Sequence, residues 1–220
     1  MNDTKWYDIE TPIPRPGLRI ISNSYDTDKK PHVHNYISLY SEYFDSMRYS
    51  ARAVLEIGVL RGESLRMWKE YFPSAHIFGI DIDPSCLLNE EDRIGIFIGE
   101  QGDSEFLLLS AEKMGNDLDI IIDDGSHIAS DYKISFDNLF PLVKSGGWYV
   151  IEDINNDVSE ESSDFISYII DGALLGRRSS CGNREIVIGL MPDLSEVLSK
   201  SQMLIESVHI HNNIFFIRRA

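Results

Sequence analysis

"LDIIIDDGSH", residues 118–127, changes character halfway along. Its first half is nearly continuous in apolar residues, as expected of a strand covered by helices on both faces. It then stops at Asp123, Asp124, Gly125, Ser126 and His127. In an open α/β sheet, ligands bind outside the carboxyl ends of the strands, near the point where strand order reverses. A buried strand ending in two carboxylates and an imidazole therefore reads as one whose tip faces a ligand.

Similar runs lie on either side: "AVLEIG" (53–58), "HIFGID" (76–81), "IGIFIG" (94–99) and "GWYVIED" (147–153). Amphipathic segments separate them, and this alternation predicts β-α units in a mostly parallel sheet. "GESLRMWKEYF" puts Leu65, Trp68 and Phe72 on one helical stripe, and "SDYKISFDNLFPLV" does the same with Tyr132, Phe136, Leu139 and Leu142. Ser130 is the expected N-cap of that second helix. Earlier, "VHNYISLYSEYFDSM" carries Tyr36, Leu39, Tyr40, Tyr43 and Met47 at helical spacing and predicts a helix covering the core. "DTDKKPH" before it reads as a polar loop, and the acidic "NNDVSEESSD" (155–164) as a solvated, mobile one. "QMLIESVHI", "HNN" and "IFFIRR" predict an antiparallel hairpin at the end of the sheet.

The chain has 220 residues, the length of one good-sized domain with a single core. Its 36 acidic and 20 basic residues give a net charge of −16, which argues against nucleic acid or an anionic membrane as partner. Cys86 and Cys181 have neither disulfide-scaffold nor zinc spacing. The N-terminus has no signal-like apolar core, and no run reaches the roughly 18 apolar residues of a membrane span, so a cytoplasmic protein is expected.

Two further motifs bear on the ligand. Glu56, Gly58 and Gly62 form E-x-G-x-x-x-G at the junction of the first strand and helix, where a turn without Cβ atoms lets backbone approach a ligand and a carboxylate suits a cationic one. The dinucleotide fingerprint G-x-G-x-x-G fails because Leu60 holds the second glycine position, which argues against a nicotinamide dehydrogenase. "FGIDIDP" ends the second strand in Asp81, favoured over Asp83 as the acceptor for the hydroxyls of an adenosyl ribose.

With these residues the chain resembles the class I S-adenosylmethionine-dependent methyltransferases. "IIIDDGSH", "LFPLVKSGGWYVIEDI" and the closing "SVHIHNNIFFI" narrow the resemblance to the metal-dependent sugar O-methyltransferases of macrolide biosynthesis, the macrocin and mycinamicin enzymes, and to the related cephalosporin hydroxylase-like proteins. The resemblance implies a single Rossmann-like α/β domain with a mostly parallel seven-stranded sheet, a C-terminal antiparallel hairpin and helices on both faces. Residues 1–50 would be an N-terminal segment with its covering helix, and 51–220 the catalytic domain. S-adenosylmethionine would be held by Glu56, Gly58, Gly62, Ser64 and Asp81. Gln101 or Asp103 would lie by the adenine, Asp103 being equally placed to cap a helix. Asp123, on the other side of its strand end by the two-residue alternation, would approach the cofactor or be structural.

The resemblance carries the metal ligands onto Asp124, Glu152 and Asp153 and the general base onto His127. Three carboxylates packed together raise one another's pKa unless a cation sits among them, and all-oxygen ligands favour Mg2+, with Ca2+ or Mn2+ as alternatives. The expected reaction is methyl transfer to a hydroxyl of a sugar or glycoside, from a surface polysaccharide, a nucleotide-sugar or a natural product. The family's long extra N-terminal region has little counterpart here, which leaves the acceptor open. "DTDKKPH" with the residues after it would form either a lid, with Lys29, His34 and Tyr36 toward the substrate, or a plain capping loop. A homo-oligomer is allowed. The rival readings are a non-catalytic S-adenosylmethionine-binding protein of the same fold and a hydroxylase-like enzyme. No 2-His-1-carboxylate iron set is evident among His32, His34, His76, His209 and His211 to support the latter.

Overall fold

The computed structural model describes residues 15–154, 160–176, 204–211 and 213–220. In chain order the elements are α1 (Leu18–Ile21), α2 (Ile37–Phe44), β1 (Ala53–Ile57), α3 (Glu63–Tyr71), β2 (His76–Asp81), β3 (Ile94–Ile98) and α4 (Ser104–Met114). They continue with β4 (Leu118–Asp123), α5 (Ala129–Leu139), β5 (Val143–Glu152), α6 (Glu160–Gly176), β6 (Ile205–His211) and β7 (Ile214–Arg219). The seven strands form one sheet in the order β3-β2-β1-β4-β5-β7-β6. β1 to β5 are parallel, while β7 runs antiparallel to β5 and β6 antiparallel to β7. Winding reverses between β1 and β4, so their carboxyl ends flank the crevice where a ligand is expected.

Both faces of the sheet are buried, which explains the near-continuous apolar runs. Val54, Ile120, Ile122, Trp148, Val150 and Phe216 join Tyr40, Phe44, Trp68 and Phe72 on one face. Their neighbours Leu55, Ile121, Tyr149, Ile151, Phe215 and Ile217 join Leu107, Phe136 and Phe165 on the other. Side chains alternate along a strand. Both alternating sets are apolar until the strand tips, where the same alternation distributes acids.

Three local expectations are corrected. Ser130 lies inside α5, whose N-cap is Ile128. The helix starts early because His127 is turned into the left-handed region (φ 58°), and Ser126 Oγ then accepts from Ile128 N at 3.2 Å and donates to Asp131 Oδ2 at 2.8 Å. α2 begins only at Ile37, after a left-handed Asn35 (φ 61°), and ends in a 3-10 turn over Asp45–Met47. Of the expected acidic loop, Glu160 to Asp164 are already helical in α6, while 155–159 lie outside the described residues, as does Cys181. Among the described residues, no helix is long and apolar enough to cross a membrane.

Candidate active site

Counting in twos along the strands places Glu56 with Val54, Asp124 with Ile122, and Glu152 with Val150, all toward the α2–α3 face. The three carboxylates meet there around one cation from the N-terminal segment. Lys29 Nζ lies 2.6 Å from Asp124 Oδ2, 2.7 Å from Glu152 Oε1 and 3.2 Å from Glu56 Oε1. The polar loop expected over "DTDKKPH" is present, with Asp26, Asp28, Pro31 and His32 exposed, but Lys29 is 1% exposed and turned from it into the site. Burying this lysine costs desolvation, yet the carboxylates outweigh it and hold the ammonium charged, its pKa well above the usual value. Glu152 also accepts a hydrogen bond from Tyr40 OH, and Trp68 Nε1 donates to Glu56 Oε2 at 3.0 Å.

Among the described residues, one ammonium faces these three acids and does not balance them. Burial, and then the charge of Asp124, push the carboxyl of Glu152 well above its ordinary range against the pull of Lys29. Burial likewise raises Glu56 to about 7, with Lys29 opposing. An unfolded glutamate ionises near 4.5, so the stability contributed by Glu56 is complete below that pH. It is lost as the pH rises to about 7, by roughly 3 kcal/mol. Denaturant titrations at about pH 5 and about pH 8 should show the wild type losing that much more stability over the interval than Glu56→Gln. Equal losses would contradict it.

Asp153 stands at the tip of β5 in a left-handed conformation (φ 55°). Its Oδ1 accepts from Tyr36 OH at 2.6 Å and Asn213 Nδ2 at 2.9 Å, with His34 Nδ1 at 3.7 Å. His127, half-buried, pairs through Nδ1 with Tyr132 OH at 2.8 Å. Asp124, His127 and Asp153 each offer one ligand atom, all within 4.8 Å of one another, and Glu56, Asp124 and Glu152 do the same. Asp124 belongs to both groups. Non-glycine residues in the left-handed region are uncommon and concentrate at functional sites, and here two of the site's residues are of that kind.

Two clefts open beside the cluster and share Gly58, Asp81 and Gly125. One, of about 410 Å3, runs past Ile57, Ile80, Ile82, Gln101 and Ile128. The other, of about 390 Å3, is lined by Lys29, Leu60, Ser64, Asp124 and His127 among others. Asp81 accepts from Val59 N (2.8 Å), Leu60 N (3.1 Å) and Asp83 N (2.9 Å). Burial would raise its pKa, but these donors reverse the direction and keep it ionised. Gly58 (φ 93°) is required, because a Cβ there would stand 2.1 Å from the main-chain oxygen of Asp124. Gly58→Ala should cost at least about 1–2 kcal/mol from the dihedral alone, with further loss from the overlap. A thermal melt indistinguishable from wild type would contradict this close approach.

Several expected cofactor residues are already engaged. Glu56 is fully buried and turned to Lys29 and Trp68 rather than to either cleft. Asp123, on the opposite face, is buried and accepts from Gln101 Nε2 (2.6 Å), Tyr149 OH (2.9 Å) and Ser135 Oγ. Burial pushes it to about 7 in spite of these donors. Gln101 borders the first cleft, but its amide is occupied by Asp123 and Ser135 on one side and by Ser126 N on the other. Asp103 caps α4 through Glu105 N and Phe106 N. Ser64 lies in the second cleft beside Glu56, and Gly62, left-handed at φ 71°, is the N-cap of α3. Lys29 and Tyr36 are buried and engage the acids, Lys29 also lining the second cleft, and His34 remains half-buried beside Asp153.

No protein-family model matches the chain. The structure superposes on the MycE methyltransferase of the mycinamycin pathway, solved in complex with Mg, SAH and mycinamycin VI, with a TM-score of 0.77 and 32% identity. The match covers 94% of this chain and 54% of that one. The chain has the class I methyltransferase fold. Two curated relatives are sugar-directed O-methyltransferases by name. The 8-demethyl-8-alpha-L-rhamnosyl tetracenomycin-C 2'-O-methyltransferase of Streptomyces olivaceus is 30% identical over 222 residues, covering 93% of this chain and 55% of its own length. The mycinamicin VI 2''-O-methyltransferase of Micromonospora griseorubida is 43% identical over 148 residues, 64% of this chain and 36% of its own length. The chain thus spans about half or less of the length of the curated relatives it matches.

Within this methyltransferase fold, the sequence reading missed Tyr40 and Tyr132 as site residues, and it offered Lys29 as a residue facing the substrate without seeing it as the counter-ion of the acids. Both tyrosines read as members of an apolar helical stripe, and their rings are buried that way. Only the partner at the phenol tip reveals the second role. For Tyr40 a signal existed: it follows Tyr36 by four residues, one helical turn, and both hydroxyls reach the acids at the end of β5.

Proposed function

We propose that the chain catalyses S-adenosylmethionine-dependent, Mg2+-assisted O-methyl transfer to a hydroxyl of a sugar carried on a small molecule. The observation that carries this reading is the convergence of Asp124, His127 and Asp153 within 4.8 Å at the tips of β4 and β5, next to the clefts that meet at Gly58 and Asp81. The relatives named above support the substrate class. A net charge of −16 favours a small acceptor over a nucleic acid.

The residues fit a hard divalent ion. Among the described residues, four carboxylates, Glu56, Asp124, Glu152 and Asp153, gather where Lys29 supplies a single ammonium, so this cluster is short of positive charge and rich in oxygen donors. Asp124, Asp153 and, in exchange for its contact with Lys29, Glu152 would hold the ion. When bound, such an ion supplies a Lewis acid that makes a nearby sugar hydroxyl more acidic. His127 takes the hydroxyl proton on its ring as the hydroxyl oxygen forms its bond to the methyl carbon and the bond from that carbon to the donor's sulfonium sulfur breaks, which leaves S-adenosylhomocysteine. Asp81, kept ionised by three main-chain donors, accepts from the donor's ribose, and the turn at Gly58 lets backbone approach the cofactor. Residues 51–220 form the catalytic unit in this reading. The preceding segment completes it, since Lys29 and Tyr36 reach its acids.

The test is a screen of rhamnosides and other glycosides with labelled methyl donor, with and without chelator. Turnover abolished by chelation and restored by Mg2+ is the expected result. Chelator-insensitive transfer would exclude the metal, and binding of S-adenosylhomocysteine without transfer to any glycoside would favour a binding protein.

A further inference from the structure

Tyr132 lies in the first turn of α5, 2% exposed, with its ring stacked on Phe165. Its hydroxyl oxygen is 2.8 Å from the main-chain oxygen of Glu152 and 2.8 Å from His127 Nδ1. A phenol has one hydrogen and a carbonyl oxygen has none, so the phenol proton points to Glu152. Toward His127 the phenol oxygen can then act only as acceptor, and Nδ1 must carry the hydrogen. Burial and the surrounding acids keep the phenol from ionising.

We propose that Tyr132 is a positioning residue that holds neutral His127 in the Nδ1–H tautomer and leaves the Nε2 lone pair as the ring's sole proton acceptor. The tautomer of a histidine is set by the hydrogen bond its other nitrogen makes, and here that bond comes from a group whose own direction is fixed by the backbone. The left-handed His127 (φ 58°) commits the main chain to presenting the ring. The chain of bonds from Nδ1 through Tyr132 to the Glu152 carbonyl ties the imidazole to the acidic tip of β5. The use of this arrangement rests on the methyl-transfer reading: a ring whose Nδ1 is occupied by Tyr132 can receive a substrate proton only at Nε2.

Long-range 1H–15N correlation spectra of the full chain labelled with 15N-histidine report the tautomer directly. They are recorded well above the ordinary histidine pKa of ~6.5, with His127 assigned by its disappearance in His127→Gln. The expected result is an Nδ1–H ring in the wild type and a shift to predominantly Nε2–H in Tyr132→Phe, with the circular dichroism spectrum unchanged. An Nε2–H ring in the wild type, or an undiminished Nδ1–H signal in the phenylalanine variant, would overturn the proposal. Should Tyr132→Phe not fold, the wild-type tautomer alone decides. Because no acceptor is needed, failure of methyl transfer would remove the functional reading and leave this assignment standing.

Discussion

His127→Ala should lower the turnover of methyl transfer by roughly 10²–10⁴-fold, the range for removing a general base, while the affinity for S-adenosylhomocysteine stays close to that of the wild type. The separation follows from where the residue sits. His127 lines the second cleft and approaches Asp124 and Asp153, whereas the first cleft is walled by Ile57, Ile80, Gln101 and Gly125 without it. Its loss removes a proton acceptor and leaves those walls intact. Calorimetry with S-adenosylhomocysteine and single-turnover rates with the best acceptor from the glycoside screen measure the two quantities independently. Parallel losses in affinity and rate would mean that the histidine shapes the cofactor site instead of serving the hydroxyl.

Lys29→Met should destabilise the fold by about 3–5 kcal/mol at neutral pH, the usual cost of stripping the partner from buried ions. The methionine retains much of the lysine stem's volume, so the loss reports charge more than packing. Glu56, Asp124 and Glu152 would then face one another without the ammonium that now lies within 3.2 Å of all three. The deficit should shrink on acidification. Burial already raises the carboxyl pKa values, Glu56 to about 7, and without Lys29 they rise further, so below neutrality the acids neutralise themselves by taking up protons. Denaturant titrations of both proteins across that range give the difference directly. A deficit independent of pH would show that the lysine acts through packing alone.

How much of this was legible in the sequence differs from part to part. The five parallel strands were legible because each is a short apolar run ending in glycine or an acid, and the hairpin because two β-rich runs flank "HNN". The placing of Asp123 on the opposite face followed from the two-residue alternation, whereas the convergence of Asp124 with Glu152 was implied only by the family resemblance, because no pattern within one strand says which strand lies beside it. The counter-ion of those acids was not legible. Lys29 sits in "DTDKKPH", whose composition is that of a surface loop, and only tertiary contact with β1, β4 and β5 makes burial of its ammonium tolerable. Likewise Gln101 and Asp103 follow a strand tip where cofactor contacts are common. The capping bonds of Asp103 and the closed circuit of Gln101 with Asp123, Ser135 and Ser126 depend on α4 and α5 being packed in place.

The most direct measurement is anomalous scattering from crystals grown with Mn2+ and S-adenosylhomocysteine. A single strong peak within bonding distance of both Asp124 and Asp153, beside a nucleoside seated along Asp81, is the expected result. An ordered nucleoside with no peak at those carboxylates, or a peak held by other residues, would contradict the account.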